Sequence, residues 1–317
     1  MAGKSKDSFL QSFAVPFAVS IYVICSSCML VVNKSAMKFL PHVYTVTAMQ
    51  TAASAILLFV AKYLGYISFA NPSFQTVWGW SGVLAAWIVP IILNMKAVHL
   101  VSVETMMMFR SITIVAVALG DYFLLHTSIN VREACSCIVI SLGGLLYAST
   151  DLNFHYEGYL WGASYSIGMV VNSLYIKHCF NKHKGMSSWE KSFLNNLLAT
   201  PAVLLIVFAI EDPTKVLNDM VSLSVTGWAV LILSCVMGLG ISMSGTKCRD
   251  VLSATSFDVL GNCTKYLTLG LSAILLDTRN SLVSIVGICI ALSGTMLYSP
   301  AGEKLWQLTG LNPKKQA

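Results

Sequence analysis

The sequence predicts an all-α polytopic membrane protein of ten transmembrane helices, arranged as a five-plus-five inverted repeat within one membrane domain over residues 1–317. Three observations carry this. Ten stretches of roughly 17 to 23 mostly apolar residues fill the chain, each long enough to cross a hydrocarbon core of about 30 Å at about 1.5 Å per residue. Hydrophobic residues make up 56% of the sequence and charged ones 11%, which would leave a water-soluble protein with far too much apolar surface. Short motifs of the first half (residues 1–150) recur in the same order in the second (151–317).

The first span, 12–32, follows Lys4 and Lys6 as a signal peptide would, but no small-residue cleavage site comes after it, and it reads as a retained helix. Spans two and three, 43–63 and 77–98, are read on length and apolarity. The fourth, 102–122, holds Arg110 next to Met106, Met107, Met108 and Phe109. The fifth covers 131–149, the sixth 159–176 and the seventh 189–210, where Asn195 and Asn196 stand together. An eighth covers 223–244, a ninth, 254–276, holds Asp258 and Lys265, and the tenth covers 281–299. Cys25 and Cys28 in the first span, like Cys135 and Cys137 in the fifth, read as small polarizable residues at helix contacts rather than redox or zinc ligands.

An even number of spans puts both termini on one side of the membrane. Thirteen Lys and Arg fall on that side against six on the other, with Lys265 counted for neither, so the termini are expected in the cytosol. No stretch is left over for a soluble catalytic domain. The six histidines stand at 42, 99, 126, 155, 178 and 183 without metal spacing, and no metal, cofactor or nucleic-acid partner is expected.

The repeat rests on three pairs of segments. Val31-Val32-Asn33 with Lys38 recurs as Val170-Val171-Asn172 with Lys177. Arg110-Ser111-Ile112-Thr113 with Asp121 recurs as Lys265-Tyr266-Leu267-Thr268 with Asp277, and Gly144 before Tyr147 recurs as Gly294 before Tyr298. Since five is odd, the second half inserts upside down relative to the first. That is the architecture of alternating-access carriers, whose substrate site lies near the midplane where the halves meet.

Ionisable groups within a span are costly and therefore informative. Arg110 and Lys265 occupy equivalent positions of the repeat, and two cations brought towards a common cavity call for an anion. Phosphate fits, since Arg grips it in a bidentate manner and Lys meets it as a point charge; the alternative is that each snorkels to a membrane surface. Asp258, seven residues before Lys265 and on the same helix face, can neutralise it or accept from sugar hydroxyls. Asn195 and Asn196 offer amides suited to a nucleobase edge, or equally to an interhelical hydrogen bond.

At these residues the chain resembles the nucleotide-sugar transporters of the drug/metabolite transporter superfamily, nearest the GDP-mannose branch. Phe109-Arg110-Ser-Ile-Thr113-Ile followed by Ala118, Gly120 and Asp121 is similar to the fourth helix of that group, where Lys usually holds the Arg110 position. Phe193-Leu194-Asn195-Asn196 resembles its Phe-Tyr-Asn-Asn motif, and Gly261-Asn-Cys-Thr264-Lys265 its Gly-Ala-Leu-Asn-Lys motif. Asn33-Lys34 closing the first span and Ile241-Ser242 extend the likeness along the whole chain. The resemblance implies a multi-pass antiporter of the Golgi or endoplasmic reticulum that imports a GDP-sugar, GDP-mannose or GDP-fucose, and exports the nucleoside monophosphate. It also implies roles: Asn195 and Asn196 read guanine, Gly261 and Lys265 hold the sugar-phosphate end, and Tyr22 and Ser242 line the cavity. Leu194 replaces a Tyr, Thr264 an Asn, and Phe257 a cavity Tyr, so the base-reading set is better kept than the sugar-reading set.

A UDP-sugar carrier, an organic-phosphate exchanger, and a membrane-embedded enzyme or receptor of the same fold are the alternatives. Lys314 and Lys315, fourth and third from the C-terminal end, resemble a dilysine signal read by coat proteins; a basic tail meeting anionic lipid is the other reading. The sequence leaves a homodimer open.

Overall fold

The computed structural model describes residues 2–98, 100–101, 103–149, 156–275 and 282–299. Asp277 and the Lys314-Lys315 pair lie outside them. Among the described residues the structure is all helical, and each expected span coincides with a helix. These are α1 (Ala2–Phe39), α2 (Val43–Tyr63), α3 (Phe74–Val98), α4 (Val103–Leu124), α5 (Val131–Ala148), α6 (Tyr156–Lys182), α7 (Ser188–Ile210), α9 (Val225–Val251), α10 (Ala254–Leu275) and α11 (Leu282–Tyr298). A further short helix, α8 (Pro213–Val221), fills the link between the seventh and eighth spans.

Among the described residues, six helices are long and apolar enough to cross a membrane: α2, α3, α4, α5, α7 and α9, with shorter apolar segments at Pro16–Met29 and Leu282–Tyr298. The chain is a multi-pass membrane protein. The remaining long helices, α6 and α10, carry more polar residues. α1, α6 and α9 outrun their apolar spans because bilayer thickness limits a span, whereas caps and hydrogen bonding limit a helix.

Several helix ends are fixed by local signals. Ser187 caps α7, its hydroxyl accepting from the Glu190 N–H at 3.2 Å. Asp212 caps α8, accepting from the Thr214 N–H, with Pro213 in the first turn where its missing donor is no loss. Glu211 reaches across to the start of α2, where its carboxylate accepts from the N–H groups of Tyr44 and Thr45 at 2.8 and 3.1 Å. A negative group there satisfies orphan donors and suits the positive end of the helix dipole.

The chain forms two compact units, each assembled from both halves of the sequence. Unit one comprises residues 1–84 and 180–251, hence α1, α2, the start of α3, and α7 to α9. There α1 packs on α9 and α2 on both α7 and α9. Gln50 of α2 joins the elements, donating to Asn33 of α1 at 3.1 Å and to Ser234 of α9 at 2.5 Å. Unit two comprises 85–179 and 252–317. Its tightest crossing is α5 on α11, where a Cβ on Gly143 would stand 2.5 Å from the Ala291 backbone nitrogen and one on Gly287 2.7 Å from that of Tyr147. Only glycine permits this approach, the usual device where lipid supplies no hydrophobic drive. Ile114, Ile140, Tyr266 and Ala291, all fully buried, tie α4, α5, α10 and α11 into one core.

Candidate functional site

In unit one, the predicted residues Tyr22, Asn33, Asn195, Asn196 and Ser242 fall on α1, α7 and α9. Trp80 of α3 organises the region around Asn195. Its indole is almost wholly buried, stacks on Phe180 with centroids 5.8 Å apart, meets His183 edge-on, and donates Nε1–H to Asn195 Oδ1 at 2.6 Å. An indole N–H can only donate, so it fixes the amide with its oxygen inward and leaves the two Nδ2 donors of half-buried Asn195 turned away. Asn196 is used differently. It is buried, and its Nδ2 donates to Ser192 O at 2.8 Å and to Ser242 Oγ at 2.6 Å, with Ser192 and Ser242 hydroxyls 2.9 Å apart. The two neighbours expected to act alike thus differ: Asn195 presents donors, while Asn196 commits its own to joining α7 and α9.

Asn33 accepts from Gln50 and, at 3.3 Å, from Ser234, which places it in the tie among α1, α2 and α9. Tyr22 is half-buried and lies over Gly245 of α9, where a Cβ would stand 3.2 Å from its ring. One charged group went unnoticed in the sequence. Lys191 of α7 is fully buried, pairs with the Asp250 carboxylate, and lies over the Phe180 ring at 4.7 Å. Ser188 donates to the second oxygen of Asp250. Lys191 stands one turn before Asn195 on the same helix face, a spacing readable in the sequence once the face is known.

In unit two, the predicted residues Arg110, Phe257, Asp258, Gly261, Thr264 and Lys265 fall on α4 and α10. These helices are locked together one residue beyond each cation: the Ser111 and Tyr266 hydroxyls are 2.5 Å apart and both residues are fully buried. Ser111 also donates to Met107 O, while its own carbonyl accepts from Ser141 of α5 at 2.9 Å. At Gly144 a Cβ would stand 2.4 Å from the Ser111 hydroxyl, so a glycine there is what lets α5 close on this contact. The register so fixed puts Arg110 and Lys265 within each other's electrostatic reach. Arg110 is half-buried and donates from Nη1 to Tyr165 OH of α6 at 3.1 Å. Lys265 keeps an exposed surface, unlike its buried neighbours Thr264 and Tyr266.

The other predicted residues of α10 turn inward. Asp258 is buried and accepts from Ser173 of α6 at 3.0 Å. Thr264 is buried and donates to Gly261 O at 2.8 Å, and Phe257 is buried as well. Asp121, noticed only as the end of its repeat segment, caps α10: its Oδ2 accepts from Thr255 N at 2.7 Å and from Thr255 Oγ1 at 2.6 Å. The cations therefore carry the accessible chemistry of this unit, and the carboxylates are held by hydroxyls and backbone.

Comparison with known proteins bears on this arrangement. The sequence profile of the Triose-phosphate Transporter family matches residues 14–299. A GDP-mannose transporter of Arabidopsis thaliana is 29% identical over 93% of this chain and 81% of its own length. GDP-fucose transporter 1 of the same plant is 25% identical over 93% of each chain. GDP-mannose transporter 1 of Saccharomyces cerevisiae is 24% identical over 92% of each. A solved crystal structure 13% identical in sequence superposes with a TM-score of 0.69 over 92% of this chain and 98% of the other, which shows a shared fold.

Proposed function

Because the chain belongs to the Triose-phosphate Transporter family, we propose that it is a nucleotide-sugar antiporter, carrying a GDP-sugar into the Golgi or endoplasmic reticulum lumen in exchange for GMP. The observation that supports this reading is the Ser111–Tyr266 contact, which fixes the register that brings the cations of α4 and α10 within electrostatic reach, an arrangement that an anionic ligand would stabilise. Arg110 and Lys265 engage the phosphates, and the Nδ2 donors of Asn195, oriented by Trp80, read a carbonyl edge of the base. GDP-mannose and GDP-fucose are the sugars named for the relatives, and either satisfies this chemistry.

We take the chain to have ten spans in two inverted halves with cytosolic termini. The packing supports this through its symmetry. Exchanging the halves maps the packed pairs α2 with α7, α4 with α10, and α5 with α11 onto themselves. The counterpart of α1 on α9 is the looser approach of α6 to α3, where a Cβ on Gly168 would stand 3.1 Å from Leu93 Cδ1. A carrier with such symmetry alternates by rocking its elements about a central substrate.

A panel of GMP, UMP, CMP and AMP against the purified protein tests the base. A ligand at a hundredfold excess over its Kd adds about 2.7 kcal/mol of stability, so GMP is expected to raise the melting temperature clearly and AMP, whose base has no carbonyl, not to. Uracil and cytosine each carry a carbonyl that donors alone can meet, and so UMP and CMP are the informative comparisons. Stabilisation by UMP equal to that by GMP moves the protein to UDP-sugars. For the address, replacing Lys314 and Lys315 by Ser is expected to shift the protein outward along the secretory pathway in cell imaging; an unchanged distribution removes the dilysine reading.

A further inference from the structure

Unit one contains a cavity of about 950 Å³ that none of the residues assigned above to base or phosphate lines. One wall is apolar: Phe17 and Ile21 from the first turns of the α1 span, Val236 and Leu239 from α9. Phe17 and Val236 are among the exposed large apolar residues, so this wall is open rather than packed. The other end is cationic. Lys184, Lys191 and Lys247 line it against a single carboxylate, Asp250, which Lys191 and Ser188 already engage. Lys184, which is exposed, and Lys247, which is half-buried, are left to give the cavity its net positive charge.

We propose that this groove holds one anionic phospholipid of the cytosolic leaflet. An apolar trough ending in ammonium groups has the polarity of a phospholipid, acyl chains along Phe17, Ile21, Val236 and Leu239, phosphate at Lys184 and Lys247. A soluble nucleotide has no use for the trough, and a neutral or zwitterionic lipid none for the unbalanced lysines. The position along the membrane agrees. The C-terminal end of α6, the N-terminal end of α7 and the C-terminal end of α9 meet here, all on the side that the excess of Lys and Arg assigns to the cytosol, where anionic lipids concentrate. Bound there, the lipid bridges α1, α7 and α9, the helices that carry Tyr22, Asn195 and Ser242. The inference rests on membrane placement and not on which nucleotide is carried.

The test uses the full chain purified in detergent, with dioleoylphosphatidylserine and dioleoylphosphatidylcholine titrated separately and adducts counted by native mass spectrometry. The expected result is a single phosphatidylserine adduct, preferred over phosphatidylcholine by about thirty-fold, as two surface lysines near an anionic head group imply. In the Lys184→Gln/Lys247→Gln variant that preference falls below about twofold, while Val236→Trp, which fills the trough, weakens both lipids alike. Lys265→Ala leaves the adduct unchanged, which separates this site from the proposed phosphate site. Equal retention of the two lipids, a preference that survives the double glutamine variant, or displacement by GMP or by glycerophosphoserine overturns the proposal.

Discussion

Lys265→Ala is expected to abolish the proposed exchange while the protein remains folded and monodisperse. Lys265 keeps an accessible surface, and its neighbour Tyr266, not Lys265 itself, makes the hydrogen bond that joins α10 to α4. Removing the ammonium therefore leaves the packing in place and takes away a charge-assisted contact to phosphate, a loss at the lower end of about 2 to 5 kcal/mol because the side chain stays accessible. Uptake should fall at least thirtyfold by the lower figure. Lys265→Arg should keep part of the activity, since the charge remains but its geometry changes. Normal uptake by Lys265→Ala in proteoliposomes sinks the phosphate assignment.

Lys191→Met has the opposite signature, a loss of stability rather than of a ligand contact. Lys191 is fully buried with Asp250 as its ion partner and the Phe180 ring beneath it, so its removal takes a buried ammonium from the carboxylate and leaves Ser188 and the cavity lysines Lys184 and Lys247 around it. Breaking a buried pair on one side typically costs 3 to 5 kcal/mol. Asp250 keeps Ser188 and 17% of its side-chain surface exposed, and this puts the expected cost near the lower end, about 3 kcal/mol. Melting should fall by several degrees, and Lys191→Met/Asp250→Asn should recover much of the loss because no charge is then stranded. A Lys191→Met protein as stable as the parent, or a double variant no better than the single, contradicts this account.

Much of the fold was legible because a bilayer sets helix length: an apolar run of about 20 residues has one way to satisfy its backbone. The boundaries of α2 and α7 accordingly agree with the predicted spans to within a residue. α8 was missed for the complementary reason. It has nine residues, only Val216 is buried, and its signal is the local Asp212-Pro213 start rather than an apolar run. α6 and α10 give weak membrane signals because they hold Tyr165, Asn172 and Ser173, and Asp258, Asn262 and Lys265.

The candidate site was legible where charge is anomalous. Arg110 and Lys265 stand out in any apolar context, and the repeat pairs them before a structure is known. Trp80 and Phe180 did not stand out, since aromatic residues are ordinary in membrane spans and only the Asn195 hydrogen bond gives Trp80 a role. Asn195 and Asn196 could not be told apart from sequence. Adjacent residues on a helix point about 100° apart, and which one meets Ser242 depends on how α7 rotates against α9.

The paired cations also bear on coupling. An empty carrier that closes around Arg110 and Lys265 dehydrates two like charges, whereas a bound monophosphate brings about −1.5 to −2 charges and balances them. Reorientation should then require nucleotide, and transport should be obligatory exchange. Proteoliposomes loaded with GMP or with buffer alone, at matched pH, with entry of radiolabelled GDP-mannose and GDP-fucose followed over time, test this directly. The account predicts rapid entry into GMP-loaded vesicles and little above background into buffer-loaded ones. Rapid net accumulation in the buffer-loaded vesicles would show that the empty carrier returns freely, and would contradict the cation pair as the coupling device.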